Sequence, residues 1–595
     1  MNPFRHLLPH FRREARLFAL GVAALLLTDL LEQFLPRLLK RAMDAVQQAG
    51  PDAAAHRAAL WAVAGWVGLR VLFVALQGLL RWGWRMGLFG MSRKVEYGMR
   101  RALFDRLLTL DWTFYRRFRM GEILSRAMSD LAAVRESLGF GWLTLIDGIA
   151  VVGLTLGFMF ASDARLSLGI LWPLLAVPLL VATLGRRLRV LQARAQDQLG
   201  ELSQAASESF SGARVLHAFA RQEEEAGRFG KQAMAYRRRV LAVASVDALY
   251  WPLLGLAAAA SEYLLLKLGG ARMAVHAMSV GDFAMFQSYL VQIGWPVMAL
   301  GLTGNSYIKG KVSVERLNEI YDARPEVSDP APGGSAPVPA PGTAGRLEFR
   351  GVRCAYDPGN EVIRGFDLRV APGEWVGLAG GVGSGKSTLL KLPPRLLDPT
   401  AGAVFLDGRD LREWPLRALR AQVALAAQEP FLFGETVLEN VAFSRADEAD
   451  RLRAEAEAAL LAADLWETVR ALPQGLDTLL GEKGVNLSGG QRRRLALARA
   501  LFARPKVLLL DDVFSAVDTA TEARIAPALR LAAPECAVLL VSHRVSTLRL
   551  CDRVLVLEAG GVVEEGSPDA LIARGGRFRE MAGREELARR AGLEG

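Results

Sequence analysis

A glycine-rich stretch at residues 380–388 has the composition and spacing of a loop that binds nucleotide phosphates. It reads GGVGSGKST, matches the pattern G-x-x-x-x-G-K-[ST], and lies between an apolar run typical of a strand and the start of a helix. Glycines let the backbone curl so that its N–H groups face the phosphates, and the helix start adds a favourable partial charge. A functionless glycine turn is the alternative, but the strand before the loop and the helix after it favour phosphate binding.

Two side chains of this loop are suited to bind the phosphates and a metal ion. Lys386 places a point charge on the β- and γ-phosphates, and the Ser387 hydroxyl is a ligand for Mg²⁺. We therefore predict that the phosphates of a nucleotide and a Mg²⁺ ion bind at this loop. The binding residues are Gly380, Gly381, Gly383, Ser384, Gly385, Lys386, Ser387 and Thr388.

A second apolar run ends in two acidic residues, Asp511 and Asp512. Asp511 is in the position that holds the Mg²⁺ shell of a phosphate-loop site. The sequence LSGGQ begins 24 residues before Asp511 and precedes a strongly helical stretch at 492–502, which suits an anion site. An isolated LSGGQ could be a plain loop, but its place before the acidic pair favours a role in binding. Its residues are Leu487, Ser488, Gly489, Gly490 and Gln491.

The elements that must position these residues form an α/β pattern. Strand-like apolar runs alternate with helical segments, and examples are 347–352, 374–379, 507–510 and 537–541. Just before them, proline, glycine and alanine dominate a linker-like stretch. We predict a linker over residues 322–345, followed by an α/β nucleotide-binding domain over residues 346–595.

Composition separates the chain into two unlike parts. It has 595 residues, 73 Lys and Arg against 62 Asp and Glu, and 51% hydrophobic residues, which excludes a disordered chain and requires at least two domains. Residues 1–345 hold 39 basic and 27 acidic residues, whereas residues 346–595 hold 34 and 35. The net charge of +11, which alone would raise nucleic acid as a partner, therefore belongs to the first part. The three cysteines lie in the second part, consistent with a reducing cytosol.

The first part contains six apolar stretches close to the roughly 20 residues that span a bilayer. They cover residues 17–35, 58–80, 139–161, 166–184, 245–268 and 283–303. Thirty of the 39 basic residues lie outside these stretches, in segments that the positive-inside rule places in the cytoplasm. A signal peptide over residues 5–28 is the alternative for the first stretch, but acidic residues follow it and no small-residue cleavage site does.

We therefore predict an all-α membrane domain of six helices over residues 17–321, after a cytoplasmic elbow segment at residues 1–16. The protein would cross a cell membrane several times, with its N-terminus and its nucleotide-binding domain in the cytoplasm. Ionisable residues within the spans are costly and often functional. Lining of a substrate cavity and pairing between helices both remain open for Asp29, Glu32, Arg70, Asp147 and Glu262.

Over essentially its whole length the chain resembles a half-transporter of the ATP-binding cassette (ABC) exporter family. The resemblance implies ATP-driven export of a hydrophobic drug, a lipid or a peptide. It also implies three partners, namely a second half-transporter chain, the lipid bilayer and the substrate, and it leaves no role for nucleic acid. Two segments, residues 115–134 and 208–229, resemble the coupling regions that dock on the ATPase domain, and residues 481–484 resemble a segment that contacts the partner chain.

The same resemblance assigns roles to four residues outside the phosphate loop. Tyr356 matches the aromatic residue that stacks on adenine, and Gln428 matches the residue that senses Mg²⁺ and touches the membrane domain. Asp518 belongs to the loop that crosses the dimer interface, and His543 matches the sensor of the γ-phosphate. A lone tyrosine or histidine is usually structural, but the places of Tyr356 and His543 relative to the other motifs favour these roles.

One position departs from the family pattern. The family usually has Glu, which polarises the attacking water, where this chain has Asp512. Asp lacks one methylene, so its carboxylate falls about 1.5 Å short, and general-base catalysis needs hydrogen-bond reach. We expect this site to bind ATP and to hydrolyse it slowly. A compensating shift of the backbone is the alternative.

The intact LSGGQ would complete a faster site on a different chain that carries the Glu. The combination resembles the degenerate-site subunit of a heterodimeric exporter. A homodimeric exporter with Asp512 as a weak base, and an ATP-gated channel or regulatory subunit, are alternatives. A soluble cassette ATPase acting on ribosomes or DNA is disfavoured by the six spans and by the nearly neutral second part.

Overall fold

The computed structural model describes residues 2–48, 53–330, 344–356, 359–481, 484–515 and 519–590. The chain forms two compact units. Unit 1 is Met1–Thr109 with Arg119–Ala323, and unit 2 is Leu110–Phe118 with Arg324–Gly595. Most of the predicted linker, residues 331–343, lies outside the described residues. The short segment Leu110–Phe118 groups with unit 2, although the predicted domain boundary would place it in the membrane part.

Unit 1 is helical, and several of its helices far exceed the usual length of about 10–14 residues. Its last helix begins with a capping box, in which Ser279 and Asp282 exchange hydrogen bonds with each other's backbone N–H groups. The helices are α1 Leu8–Arg13, α2 Ala15–Gln47, α3 Ala53–Thr109, α5 Met120–Ser125, α6 Leu131–Glu136, α7 Trp142–Ser162, α8 Ala164–Leu171, α9 Ala176–Ser211, α10 Ala213–Ala218, α11 Gln222–Ala274 and α12 Val280–Asp322; α4, Trp112–Arg117, belongs to unit 2. Two π-helical turns, Arg126–Asp130 and Ser137–Gly141, flank α6.

Three helical stretches in the described part of the chain are long and apolar enough to cross a membrane. They are Ala15–Gln47, Ala54–Thr109 and Met120–Ser162. The predicted spans at residues 166–184, 245–268 and 283–303 fall on α8 to α9, α11 and α12 respectively. Large apolar side chains of α3 are exposed, with Trp61 at 79% and Trp82 at 69%. Such exposure along a helix is unusual in water and ordinary in lipid.

Helices α2 and α3 form an antiparallel pair whose backbones approach closely at two glycines. A Cβ atom added to Gly87 would lie 2.8 Å from the Cα atom of Gly21, closer than real Cβ atoms come to backbone. Small residues at such a crossing let membrane helices pack closely. They are common between membrane helices, because in lipid the hydrophobic effect does not drive helices together.

Unit 2 contains two sheets. One has four antiparallel strands in the order β2-β1-β4-β5, and the other has six strands in the order β10-β9-β3-β8-β7-β6, parallel except for β10. The strands are β1 Leu347–Ala355, β2 Glu361–Val370, β3 Trp375–Gly380, β4 Ala401–Leu406, β5 Arg409–Asp410, β6 Val423–Ala426, β7 Val507–Asp511, β8 Ala537–Val541, β9 Arg553–Glu558 and β10 Gly561–Gly566. The helices after α4 are α13 Lys386–Leu389, α14 Leu416–Gln422, α15 Val437–Val441, α16 Arg453–Ala462, α17 Trp466–Arg470, α18 Gly489–Phe502, α19 Thr519–Ala532, α20 Val545–Leu548, α21 Pro568–Arg574 and α22 Arg577–Arg590.

The central strands of the larger sheet are buried on both faces, which explains why their sequences are continuously apolar. In β7, Leu508 and Leu510 enter a core shared with helices such as α18, whereas Val507 and Leu509 enter a second core shared with the four-stranded sheet. Strands β3 and β8 divide their side chains between the same two cores.

Helix α4 is held within unit 2 by Asp111, which precedes it. One carboxylate oxygen of Asp111 accepts the Phe114 N–H at 3.2 Å, and the other accepts the N–H groups of Glu326 and Val327 at 2.7 and 3.0 Å. Burial alone would raise the pKa of Asp111, but these bonds and one from Thr113 outweigh burial and lower it. Asp111 therefore caps α4 and ties it to the segment that follows α12.

The close approach of α2 and α3 gives a first prediction. Gly87→Ala should destabilise unit 1 by about 1–3 kcal/mol, the usual cost of overpacking, because the new methyl group meets backbone that cannot rotate away. The matched control is Gly83→Ala, one turn earlier on α3, where an added Cβ meets no atom within 4 Å. Thermal melting in detergent should show a lower midpoint for Gly87→Ala only. Equal midpoints for the two variants would contradict the close packing.

Candidate nucleotide-binding site

The predicted site residues follow four parallel strands at one edge of the six-stranded sheet. The phosphate loop follows β3, Gln428 follows β6, Asp511 ends β7, and His543 follows β8. Ligands of α/β sheets bind at the carboxyl ends of the strands, because loops there converge. The structure thus gathers at one edge four motifs that are spread over more than 160 residues of sequence.

The phosphate loop has the backbone conformation that its glycines permit. Gly380, Gly383 and Gly385 have φ values of 146°, 82° and 98°, in the region that other residues rarely adopt. Lys386 is buried, and its ammonium group donates to the carbonyl oxygens of Gly380 and Gly381 at 2.9 and 2.8 Å. Burial lowers the pKa of Lys386, although nearby carboxylates oppose the shift. The cation is therefore held inside the loop, where phosphates would lie.

Two oxygen ligands suited to Mg²⁺ lie side by side. The Ser387 hydroxyl donates to the Asp511 carboxylate at 3.1 Å, and Asp511 is only 9% exposed. Burial raises the pKa of Asp511, and the neighbouring Asp512 charge adds to the rise. Hard oxygen donors that contribute one or two positions, with phosphate oxygens and water filling the rest, match how Mg²⁺ is bound in proteins. The residues present fit the ion.

Asp512 has an unusual conformation and is fixed by its backbone. Its φ is 50°, in the left-handed region where Asp is tolerated better than most residues. Its N–H donates to Val541 at 3.0 Å, and its carbonyl oxygen accepts the hydroxyl of Ser515 at 2.9 Å. Its carboxylate is buried, and Oδ1 has no hydrogen-bond partner in the described part of the chain. An unsatisfied buried oxygen at a nucleotide site is suited to a water or a ligand group.

The LSGGQ sequence folds as a helix cap. Ser488 accepts the Gln491 N–H at 3.2 Å through its hydroxyl, and the Gln491 side chain accepts the Ser488 N–H at 2.8 Å. This reciprocal pair is a capping box, and it starts α18 at Gly489. Gly489 has open space around its Cα atom, so the first turn of α18 leaves N–H groups accessible to an anion.

The phosphate loop and LSGGQ line different cavities of unit 2. A cavity of about 580 Å³ is lined by the phosphate loop, by His543 and by residues of α22. A second cavity, of about 530 Å³, is lined by Gly489, Gln428 and basic residues of α18. These two cavities share no lining residue. Sequence reasoning did not find Arg577 and Arg584 of α22, because the basic residues of the C-terminal segment follow no recognisable spacing.

Tyr356, the residue expected to face adenine, is surrounded by basic and aromatic side chains of unit 2. Its hydroxyl and that of Thr388 are 2.9 Å apart. The Arg116 guanidinium lies 4.7 Å from the centre of its ring, and the Trp112 ring centre lies 6.2 Å away. The ammonium group of Lys391 lies 4.3 Å from the Trp112 ring centre. Sequence reasoning missed Trp112, Arg116 and Lys391, since only the fold brings α4 beside Tyr356.

Some predicted residues fall outside the described part of the chain. Asp518 of the interface loop does so, as do Glu482 and Lys483 of the segment expected to contact the partner. The second predicted coupling region, residues 208–229, contains the short helix α10 between α9 and α11. Four large apolar residues there are exposed, namely Phe210, Val215, Phe219 and Phe229.

Comparisons with known proteins cover both units. Residues 18–297 match the family described as "ABC transporter transmembrane region", and residues 363–515 match "ABC transporter". A probable multidrug resistance ABC transporter ATP-binding/permease protein, YheI of Bacillus subtilis (strain 168), is 30% identical over 96% of this chain and 95% of its own length. The ATP-dependent lipid A-core flippase of Thiobacillus denitrificans is 31% identical over 97% of each.

A solved structure described as a bacterial Atm1-family ABC exporter with ATP bound matches with a TM-score of 0.77 and 26% identity. It covers 96% of this chain and 99% of the other. These findings confirm the predicted fold class, an all-α membrane domain followed by an α/β nucleotide-binding domain. They also confirm the multi-pass membrane location with a cytoplasmic nucleotide-binding domain.

The helix cap at LSGGQ gives a second prediction. Ser488→Ala removes the side-chain acceptor of the cap, which typically weakens a helix start by about 1 kcal/mol. Amide hydrogen exchange in the first turn of α18 should therefore become about fivefold faster. Ser488→Thr keeps a hydroxyl cap and serves as the control. Unchanged exchange in Ser488→Ala would show that packing, and not the cap, begins this helix.

Proposed function

We propose that this chain, which belongs to the ABC transporters, is the half of an exporter whose own phosphate-loop site hydrolyses ATP slowly. The chain is an ATP-hydrolysing transporter subunit, as both family matches and its full-length relatives require. The relatives are named as a lipid A-core flippase and a probable multidrug resistance transporter. By analogy with those names, the substrate proposed here is an amphiphilic drug, lipid or peptide taken up from the membrane.

Two separated cavities support the need for a second chain. The phosphate loop and LSGGQ line two different cavities of unit 2. A nucleotide bound in the cavity of the phosphate loop would therefore not reach the LSGGQ of the same chain. A second half-transporter that offers its LSGGQ to this phosphate loop, and its phosphate loop to this LSGGQ, would complete both sites. ATP would favour the arrangement in which the two nucleotide-binding domains are paired only to the extent that it binds the paired domains more tightly than the separated ones.

Asp512 is the observation that carries the proposal of a slow site. Its carboxylate is one methylene shorter than the Glu usual in the family, and two hydrogen bonds fix its backbone on either side. A compensating backbone shift would break the bond to Val541 or the bond to Ser515, so the fixed backbone argues against that alternative. General-base assistance is worth roughly 10²–10⁴ in rate and is lost when the base cannot reach its water.

The remaining residues would bind and orient the nucleotide. Lys386 and the loop N–H groups would hold the phosphates, Tyr356 would stack on adenine, and His543 at the same cavity would lie near the γ-phosphate. Bound Mg²⁺ would neutralise part of the phosphate charge, with Ser387 and Asp511 as its ligands. Gln428 follows β6, the strand that pairs with β7, and would sense the ion from there.

The combination of a short carboxylate at Asp512 and an intact LSGGQ favours a heterodimer, in which this chain completes a fast site on a partner that carries Glu. The capping box shows no distortion that would disable it, because both reciprocal hydrogen bonds are present. The first alternative is a homodimer, in which Asp512 acts as a weak base at both ATP sites. The second alternative is an ATP-gated channel, which would also use a slow site. Experiments separate these three alternatives.

Lengthening the carboxylate tests the slow site. Asp512→Glu should raise ATP hydrolysis by at least about tenfold, because the added methylene restores the reach of a general base. Asp512→Asn, which removes the base without changing the length, should lower hydrolysis further and is the control. Steady-state phosphate release, with ATP binding measured in parallel, checks both variants. Unchanged turnover in Asp512→Glu with normal ATP binding would contradict the role given to this position.

Purification of the chain without a partner tests the assembly. We expect no stable homodimer with full transport-coupled ATPase activity, measured by light scattering and by uptake into inside-out vesicles. A stable homodimer that accumulates substrate uphill would exclude the heterodimer and leave the homodimeric exporter. Passive ion flow on addition of ATP, without accumulation, would instead identify a channel.

A further inference from the structure

Four ionisable side chains of unit 1 form a cluster within the predicted spans. Asp29 and Glu32 lie on α2, Asp147 lies on α7, and Arg81 lies on α3. The carboxyl groups of Asp29 and Asp147 are within hydrogen-bonding reach of each other. Glu32 is paired instead with Arg81, at 3.3 Å. Three carboxyl groups thus share one guanidinium group.

Asp29 is the buried member of the cluster, and one of its carboxyl oxygens lacks a hydrogen-bond donor among the described residues. The residue is only 2% exposed, and no hydrogen-bond donor among the described residues reaches its Oδ2 atom. It lies twelve residues into the predicted span 17–35, about 18 Å along a helix, near the middle of a hydrocarbon core about 30 Å thick. A carboxylate at that depth is costly unless a cation or a proton meets it.

The cluster lacks enough cations of its own. Arg81 is engaged by Glu32, and Arg37, the next basic residue of α2 after the cluster, lies over the Phe158 ring at 4.3 Å. Arg81 also acts electrostatically on Asp29 and Asp147, so one guanidinium group faces three carboxyl groups and cannot balance their charge. Two carboxyl groups in contact must share a proton or bind a cation, since both cannot remain charged side by side in a medium of low polarity.

The cluster is accessible on one side and bordered by apolar surface. The Glu32 and Arg81 side chains are 30% and 49% exposed, whereas Asp29 is buried behind them. Neighbouring apolar side chains are exposed as well, including Leu30 at 37% and Trp82 at 69%. A ligand that presents a positive centre to the carboxyl pair and an apolar body to this border would match both features.

We propose that the Asp29–Asp147 pair binds the cationic centre of an apolar organic cation, which makes cationic amphiphiles the substrate class of this exporter. The proposal rests on the export function proposed above and narrows its substrate. A phosphorylated lipid would bring negative charge to three carboxyl groups and one guanidinium group, and it is disfavoured for that reason.

Equilibrium binding of two ions of equal shape and opposite charge tests the proposal. The full-length chain in nanodiscs of uncharged lipid, without nucleotide, is titrated with tetraphenylphosphonium or with tetraphenylborate at equal membrane-partitioned concentrations. The cation should bind and the anion should not. Because no ATP is present, the result is independent of how fast either nucleotide site hydrolyses ATP and of the outcome for Asp512.

Substitutions assign the binding to the cluster. Asp29→Asn and Asp147→Asn should each weaken cation binding by about tenfold or more, the effect of losing a contact to a charged group. Glu262→Gln is the control, because it removes a carboxylate from another predicted span, where Glu262 accepts a hydrogen bond from Gln287. It should leave binding unchanged.

Arg81→Gln separates binding from misfolding. Removal of the only guanidinium group of the cluster should tighten cation binding severalfold, which a damaged fold would not do. Equal binding of the cation and the anion overturns the proposal, and so does unchanged cation binding in a folded Asp29→Asn variant. Either result would indicate that the two carboxyl groups share a proton and hold no ligand.

Discussion

The nucleotide site depends on the parallel pairing of three strands that are buried on both faces. Val541 of β8 is the partner of Leu378 in β3 and of Asp511 in β7, so the end of β8 lies between the phosphate loop and the acidic pair. A slip of one residue would exchange the side chains that enter the two cores and is therefore excluded. This register is what allows Ser387 and Asp511, 124 residues apart, to share a hydrogen bond.

The same rigidity explains why one methylene can matter at position 512. A carboxylate on a mobile loop could move to meet its water, but Asp512 follows β7 directly and its N–H continues the pairing with β8 through Val541. Its left-handed conformation also suits Asp better than Glu, because a short polar side chain is tolerated there. Under the slow-site role proposed for Asp512, local conformation and hydrolytic chemistry favour different residues at this position.

Much of unit 2 could be predicted from the sequence because its signals are local. The predicted strand at 537–541 has the same bounds as β8, and that at 507–510 ends one residue before β7 does. The helical stretch predicted at 492–502 is part of α18, which begins three residues earlier because Ser488 and Gln491 form a capping box. The contacts of Tyr356 with α4, and the meeting of Asp29 with Asp147, could not be predicted. They join segments far apart in sequence, and a single sequence carries no signal for such pairs.

Helix α3 connects the two features that sequence reasoning could not bring together. It carries Arg81 of the acidic cluster and ends at Thr109, about 42 Å further along a straight helix. The chain then enters α4, which packs beside Tyr356 within unit 2. A continuous helix transmits a change only if both ends distinguish the same two states. If they do, linkage requires that a bound cation alter ATP affinity by the same factor as ATP alters cation affinity. The acidic cluster and the nucleotide site would then both respond to one conformational equilibrium.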